Sequence, residues 1–241
     1  MPAGSPFPAQ SQTSARGSRG PDSSNSLRRA GDRIQTLGEE VANSVSHGVG
    51  FVAAAVGAPF LLGSVAGSGR IMEVVAAAVF VGTVLLAYLA STLYHAFPWP
   101  RAKAALRKLD HASIFLLIAG SYTPFTLGVL RGGWGWTLFG TIWTLALAGV
   151  LLKAFGGLRF PRLSLALYLG MGWLALVAIV PLVQSLPPAG LAWLVGGGVA
   201  YTAGVIFYAM DRFPYWHFIW HLFVLAGTVC HFVAVAGWAL P

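Results

Sequence analysis

Charge is what this chain has least of. Only 9% of its 241 residues are Asp, Glu, Lys or Arg, against 56% hydrophobic residues, and the mean hydropathy is +0.72. A soluble domain carries about a quarter charged residues, so a soluble globular fold is excluded. Cysteine is nearly absent as well. The single Cys230 cannot form an intrachain disulfide and supplies no paired-cysteine metal or redox motif. It reads as a small apolar residue inside a helix. The short alternating segments of a transmembrane β-barrel are missing, because the apolar stretches are long and continuous. No internal repeat is clear. The class that survives is an all-α, polytopic membrane protein.

What charge there is has a pattern. The net value of +8 raises nucleic acid as a partner, but the basic residues sit in a tail and in short loops between apolar runs. That distribution belongs to membrane topology and excludes a nucleic-acid partner. Residues 1–37 are rich in Ser, Pro, Gly and Arg and read as a disordered tail; they lack the apolar core of a secretory signal. Residues 38–241 form the membrane domain. Seven apolar segments follow, at about 41–64, 72–97, 110–130, 134–152, 163–185, 190–210 and 215–238, each near the ~20 residues that cross a bilayer core. The fourth is the weakest, being short and glycine-led. Glycines in the first and sixth suit close helix packing in lipid, and Pro124 and Pro181 are expected to kink the third and fifth.

Seven spans put the termini on opposite sides, and the Lys and Arg residues choose which. Thirteen lie on the side of the tail, in the tail and in the second, fourth and sixth loops. Only Arg70 and Arg131 lie on the other side. The positive-inside rule places the N-terminus in the cytoplasm and the C-terminus outside.

Against this apolar background the histidines stand out. His217 and His221 are four residues apart, Ser91 and His95 repeat the interval, and so do Asn43 and His47. Residues at that spacing share a helix face, and a polar side chain within a bilayer faces a partner, a cavity or a metal. The topology puts all three pairs, and Asp110 at the start of the third span, near the cytoplasmic face. His95, His217 and His221 match the three-imidazole set of an open, catalytic zinc site. Asp110 is placed to hold or deprotonate a water there, and Ser91 to orient a ligand or bond a substrate carbonyl. The alternative is that the histidines only bond neighbouring helices. His111 points about 100° away from Asp110 on a helix and is left out of the site. His231, about 15 Å deeper by helical rise, is assigned to interhelical hydrogen bonding.

These residues also carry a resemblance. Glu39-Glu-Val-Ala-Asn-Ser-Val-Ser-His-Gly48, Ser91-Thr-Leu-Tyr-His95, Leu109-Asp-His111, Ile118-Ala-Gly-Ser-Tyr-Thr-Pro124 and His217-Phe-Ile-Trp-His221 occur in order. The chain resembles the hemolysin III-like proteins of the progestin and adiponectin receptor superfamily over residues 39–238. The resemblance implies seven helices with a cytoplasmic N-terminus. It also implies zinc held by one histidine of the second span and two of the seventh, matching His95, His217 and His221. The family's third-span aspartate matches Asp110, and its serine one turn before the histidine matches Ser91. Asn43 and His47 belong to the motif of this branch and are candidates for a supporting position around the ligands. Glu40 is read as marking the membrane interface.

Three functions remain open at this stage. The leading one is a zinc-dependent hydrolase of the cell membrane, related to ceramidases by the resemblance, in which zinc-bound water attacks a lipid amide or ester. The second is a receptor or regulator with structural zinc. The third, a cytolytic protein, rests on the family name alone. A histidine-lined proton path is a further candidate. The lipid bilayer is the one partner the sequence specifies, with a lipid-like substrate as the candidate ligand.

Overall fold

Thr36 starts the first helix. Its hydroxyl accepts the Glu39 amide at 3.3 Å, and the Glu39 carboxylate accepts the Thr36 amide at 2.9 Å, a reciprocal cap that satisfies donors with no intrahelical partner. From there a computed structural model describes residues 34–240 as almost continuous helix. The helices are α1 (Leu37–Ala66), α2 (Ile71–Ala96), α3 (Pro100–Leu127), α4 (Gly133–Gly156), α5 (Pro161–Gly172), α6 (Ile179–Ser185), α7 (Pro188–Ala209) and α8 (Trp216–Ala234). A 3₁₀ turn over Leu174–Ala178 joins α5 to α6, and a π turn over Val235–Ala239 extends α8. No strand occurs among the described residues. The tail expected over residues 1–37 lies outside them up to residue 33, including its five arginines.

Counting the broken rod α5–α6 once, the seven expected spans are all present. Six rods are long and apolar enough to cross a membrane; the exception is α3. Its first turns carry Arg101, Lys103, Arg107 and Lys108, so the basic residues expected in a loop lie on helix, and the loop shrinks to 97–99. The C-terminal half of α3 is the most enclosed part of the bundle, with Ser121, Thr123, Thr126 and Phe125 all buried. A helix sheathed by protein needs less apolar surface than one that faces lipid. The fourth segment is not short: α4 runs 24 residues. Pro181 does interrupt its rod. Its ring excludes a standard helical turn around the carbonyl four residues before it, and the 3₁₀ turn occupies that place. α3, by contrast, runs through Pro124 without a break.

The faces of α1 show which solvent the bundle is built for. Val41, Val45, Val49, Val52 and Val56 recur at helical spacing and are all more than half exposed. Glu39, Asn43, Ser46, His47 and Gly50 form the opposite, buried stripe. Valine outward and carboxylate inward is the reverse of a soluble helix, and it suits hydrocarbon outside and polar contacts within. α1 packs against α2 and α8, α2 against α3, α3 against α4, and α7 against α8. Glycines make the close approaches: Gly197 of α7 faces His231 and the Gly227 carbonyl, and Gly204 faces Phe223 and Trp220.

The end opposite the start of α1 is closed by ions. Glu73 is buried, accepts from Arg70 Nε at 2.8 Å, and pairs with Arg131. The two cations expected on that side therefore share one carboxylate.

Candidate metal centre

Three rods bring the candidate ligands, Ser91 and Asp110 together at the end where α1 begins. α2 delivers Ser91 and His95 in its last turns. α3 delivers Asp110, and α8 delivers His217 and His221 in its first turns. The i,i+4 interval places the rings of His217 and His221 on one face, with centroids 4.8 Å apart. His95 approaches both, at 5.2 Å from each ring centroid. One ligand-capable atom from each of the three lies within 4.8 Å of the others. A tetrahedral site with bonds of about 2.0–2.1 Å needs its nitrogens about 3.4 Å apart, so each lies within about 1 Å of a ligating position.

The outer edges of the rings determine which atoms are available. His95 Nδ1 lies 2.8 Å from Glu40 Oε2, so that edge donates its N–H to a carboxylate. His221 Nδ1 lies 3.1 Å from Ser46 Oγ and 3.2 Å from the Asn43 carbonyl. Ser46 gives its own proton to that carbonyl at 2.8 Å, so His221 is again the donor. His217 Nδ1 faces Asp211 Oδ2 at 3.5 Å. Nδ1 is thus occupied in His95 and His221, which leaves Nε2 as their ligating edge, while His217 Nδ1 has no hydrogen-bond partner. His95 Nε2 is buried without a partner. A buried nitrogen acceptor with nothing to bind carries a desolvation cost, and a cation would remove it. Three imidazoles with no thiolate suit borderline transition metals. This group could hold a metal ion.

A cavity of about 120 Å³ adjoins the histidines. His217, His221, Asp110 and Ser91 contribute to its wall, and Ile114, Leu117, Leu165 and Leu169 make much of the rest apolar. The Ser91 side chain is buried beside the Asp110 carboxylate.

The remaining expectations can be placed as well. His47 stacks on His221, with ring centroids 3.7 Å apart and planes 5° from parallel, and neither of its nitrogens is bonded. Asn43 supports His221 through its backbone carbonyl, while its side-chain amide donates to Gln35 at 2.7 Å. His231 bonds the Leu194 carbonyl of α7 at 3.2 Å, as expected of an interhelical link. His111 stands outside the three-histidine group but does line the cavity. Two carboxylates went unassigned from sequence. Glu40, read there as an interface marker, bonds a candidate ligand, and Asp211 faces another. The available signal for Glu40 was its place on the polar stripe of α1, one and two turns before Asn43 and His47.

Comparison with known proteins agrees with this layout. Residues 35–232 match the family model described as haemolysin-III related. The chain is 42% identical to the Hemolysin-3 of Bacillus cereus over 207 residues, which cover 86% of this chain and 94% of that protein. It is also 42% identical to the Hemolysin-3 homolog of Bacillus subtilis (strain 168) over 200 residues, covering 83% and 94%. The human Monocyte to macrophage differentiation factor is 28% identical over 212 residues, covering 83% and 84%.

Proposed function

The chain belongs to the haemolysin-III-related family, and from that premise we propose that it is a multi-pass cell-membrane hydrolase. Its metal is zinc, and its substrate is a lipid-like amide or ester. The N-terminus lies in the cytoplasm, following the thirteen-to-two distribution of Lys and Arg, so the metal centre faces that side. One observation carries the reading: three candidate ligands, a carboxylate and a hydroxyl converge beside a cavity that is otherwise largely apolar.

His95, His217 and His221 would hold the ion. Zinc, when bound, supplies Lewis acidity and lowers the pKa of a neighbouring water. The protein's own residues do the rest. Asp110 accepts a proton from water at a carboxylate oxygen. Ser91 Oγ donates to the substrate carbonyl oxygen as negative charge gathers there. Ile114, Leu117, Leu165 and Leu169 take up hydrocarbon and keep bulk water out of the cavity.

Asp110→Asn tests the chemistry. Turnover of a fluorogenic acyl amide or ester in nanodiscs should fall by about 10²-fold or more while zinc content by elemental analysis stays at the wild-type level. Full turnover in that variant sinks the role of Asp110, and wild-type protein without turnover across amide and ester panels sinks the hydrolase. A second reading, a regulator with structural zinc, is favoured by the position of the ligands on α2 and α8, which make little direct contact while α1 packs against both. It predicts zinc-dependent stability with no turnover.

A further inference from the structure

We infer that the consecutive glutamates at the start of α1 preset the metal centre, and that Glu40 is a positioning residue that sets its affinity. The inference rests on the metal-centre reading above. Acidic residues in a first helical turn are ordinarily explained by the helix dipole, but that effect leaves the carboxylates facing solvent. Here Glu39 is buried, and both oxygens of Glu40 are engaged by other helices. Glu40 Oε2 meets His95 Nδ1 at 2.8 Å, and Oε1 meets Lys103 Nζ at 2.8 Å. Lys103 also donates to the Tyr94 carbonyl at 3.1 Å. The carboxylate is thus oriented from α3 while it grips a ring on α2.

A carboxylate behind Nδ1 fixes the imidazole tautomer and ring orientation and raises the basicity of Nε2. His95 is the one candidate ligand outside α8. Its position relative to the His217–His221 pair cannot be fixed by helical spacing, and Glu40 supplies that constraint.

Glu39 braces the other side. Its Oε1 accepts the Tyr215 amide at 2.8 Å. Tyr215 caps α8 with φ of 62°, a left-handed conformation that costs a bulky residue energy and persists only where its surroundings hold it. His217 follows two residues later. One dipeptide therefore touches both ligand-bearing helices at the level of the ligands.

The test is zinc affinity, read by competition with a chromophoric chelator on the purified full-length chain in nanodiscs. Glu40→Gln keeps the size of the side chain and removes its charge, and should weaken zinc binding about 10- to 100-fold. The melting temperature of the zinc-free protein should hardly move, because a purely structural role would shift that temperature and leave the affinity of the folded protein intact. Should Glu40→Gln fail to fold, Glu40→Asp keeps the charge but withdraws it by one methylene, and carries the same expectation. An affinity within twofold of wild type in the variant overturns the inference, provided His217→Ala has lost the metal. Wild-type protein that takes up no zinc, or His217→Ala that binds as tightly as wild type, overturns the metal centre itself and the inference with it.

Discussion

Zinc should act on this fold as a removable cross-link. His95 sits at the end of α2, and His217 and His221 at the start of α8. These two helices make little direct contact, while α1 packs against both. An ion held by all three rings ties together elements that the apolar packing leaves apart. Free zinc at 100 times its dissociation constant stabilises the state that binds it by about 2.7 kcal/mol. For a domain of 150–250 residues, 1 kcal/mol moves the melting temperature by about 2–4 °C, so saturation should raise it by roughly 5–11 °C. The assay is thermal unfolding in detergent across a buffered zinc series, with the chelated protein as baseline. His95→Ala leaves the pair on α8 but releases α2, and should reduce the shift to below about 2 °C over the same series. Cys230→Ser is the control. That thiol is free and only partly buried, and it stands outside the histidine group, so its variant should keep the full shift. A wild-type shift of zero, or an equal shift in His95→Ala, refutes the cross-link.

Two further outcomes test the scaffold. Gly120 of α3 lies against Thr83 of α2, and an added Cβ would come within 2.8 Å of the Thr83 Cβ and closer still to its hydroxyl. Gly120→Ala should therefore cost about 1–3 kcal/mol by overpacking, read as a lowered midpoint in chemical denaturation, and an unchanged midpoint would show that the α2–α3 contact yields freely. Arg131→Gln removes one of the two guanidinium partners of buried Glu73. The loss should be about 1–2 kcal/mol, below the ~3–5 of a fully buried pair, because both arginines remain about half exposed and are screened by solvent. Stability equal to wild type in Arg70→Gln, Arg131→Gln and the double variant would remove this ion cluster from the account of the fold.

The architecture was legible in the sequence where lipid dictates it. Seven apolar runs predicted seven rods, and seven rods are present, because a backbone crossing hydrocarbon must satisfy its own hydrogen bonds as helix. Hydropathy failed where a helix does not face lipid. It started the third span ten residues late, at Asp110, since Pro100 to Leu109 carries four cations. It underrated α4 for a different reason: five glycines lower the apolar signal without breaking the helix. The histidine pairs were legible because the i,i+4 interval is local and loop charge supplied a common level. Glu40 was not assigned, since its partner is 55 residues away on another helix and no local interval encodes such a contact.

The two ends of the bundle treat buried polarity in opposite ways. At the Glu73 end the charges compensate one another: among the described residues one carboxylate meets two guanidinium groups through its Oε1, and only its Oε2 is left without a partner. At the His95 end they do not. Among the described residues, the buried side-chain polar atoms without a hydrogen-bond partner gather around the histidine cluster, including both nitrogens of His47, His95 Nε2 and Asp211 Oδ1. An unpaired polar group costs about 1–3 kcal/mol when buried, and surrounding lipid offers it no partner. Stability alone would favour replacing these groups with apolar residues of similar size. A bundle that pairs its buried carboxylate with two guanidinium groups at one end and retains this cost at the other keeps polar atoms where an ion could be held. The free Nε2 of His95 suits a cation, and Ser91 with Asp110 on the neighbouring cavity wall suits a polar group carried by an otherwise apolar molecule.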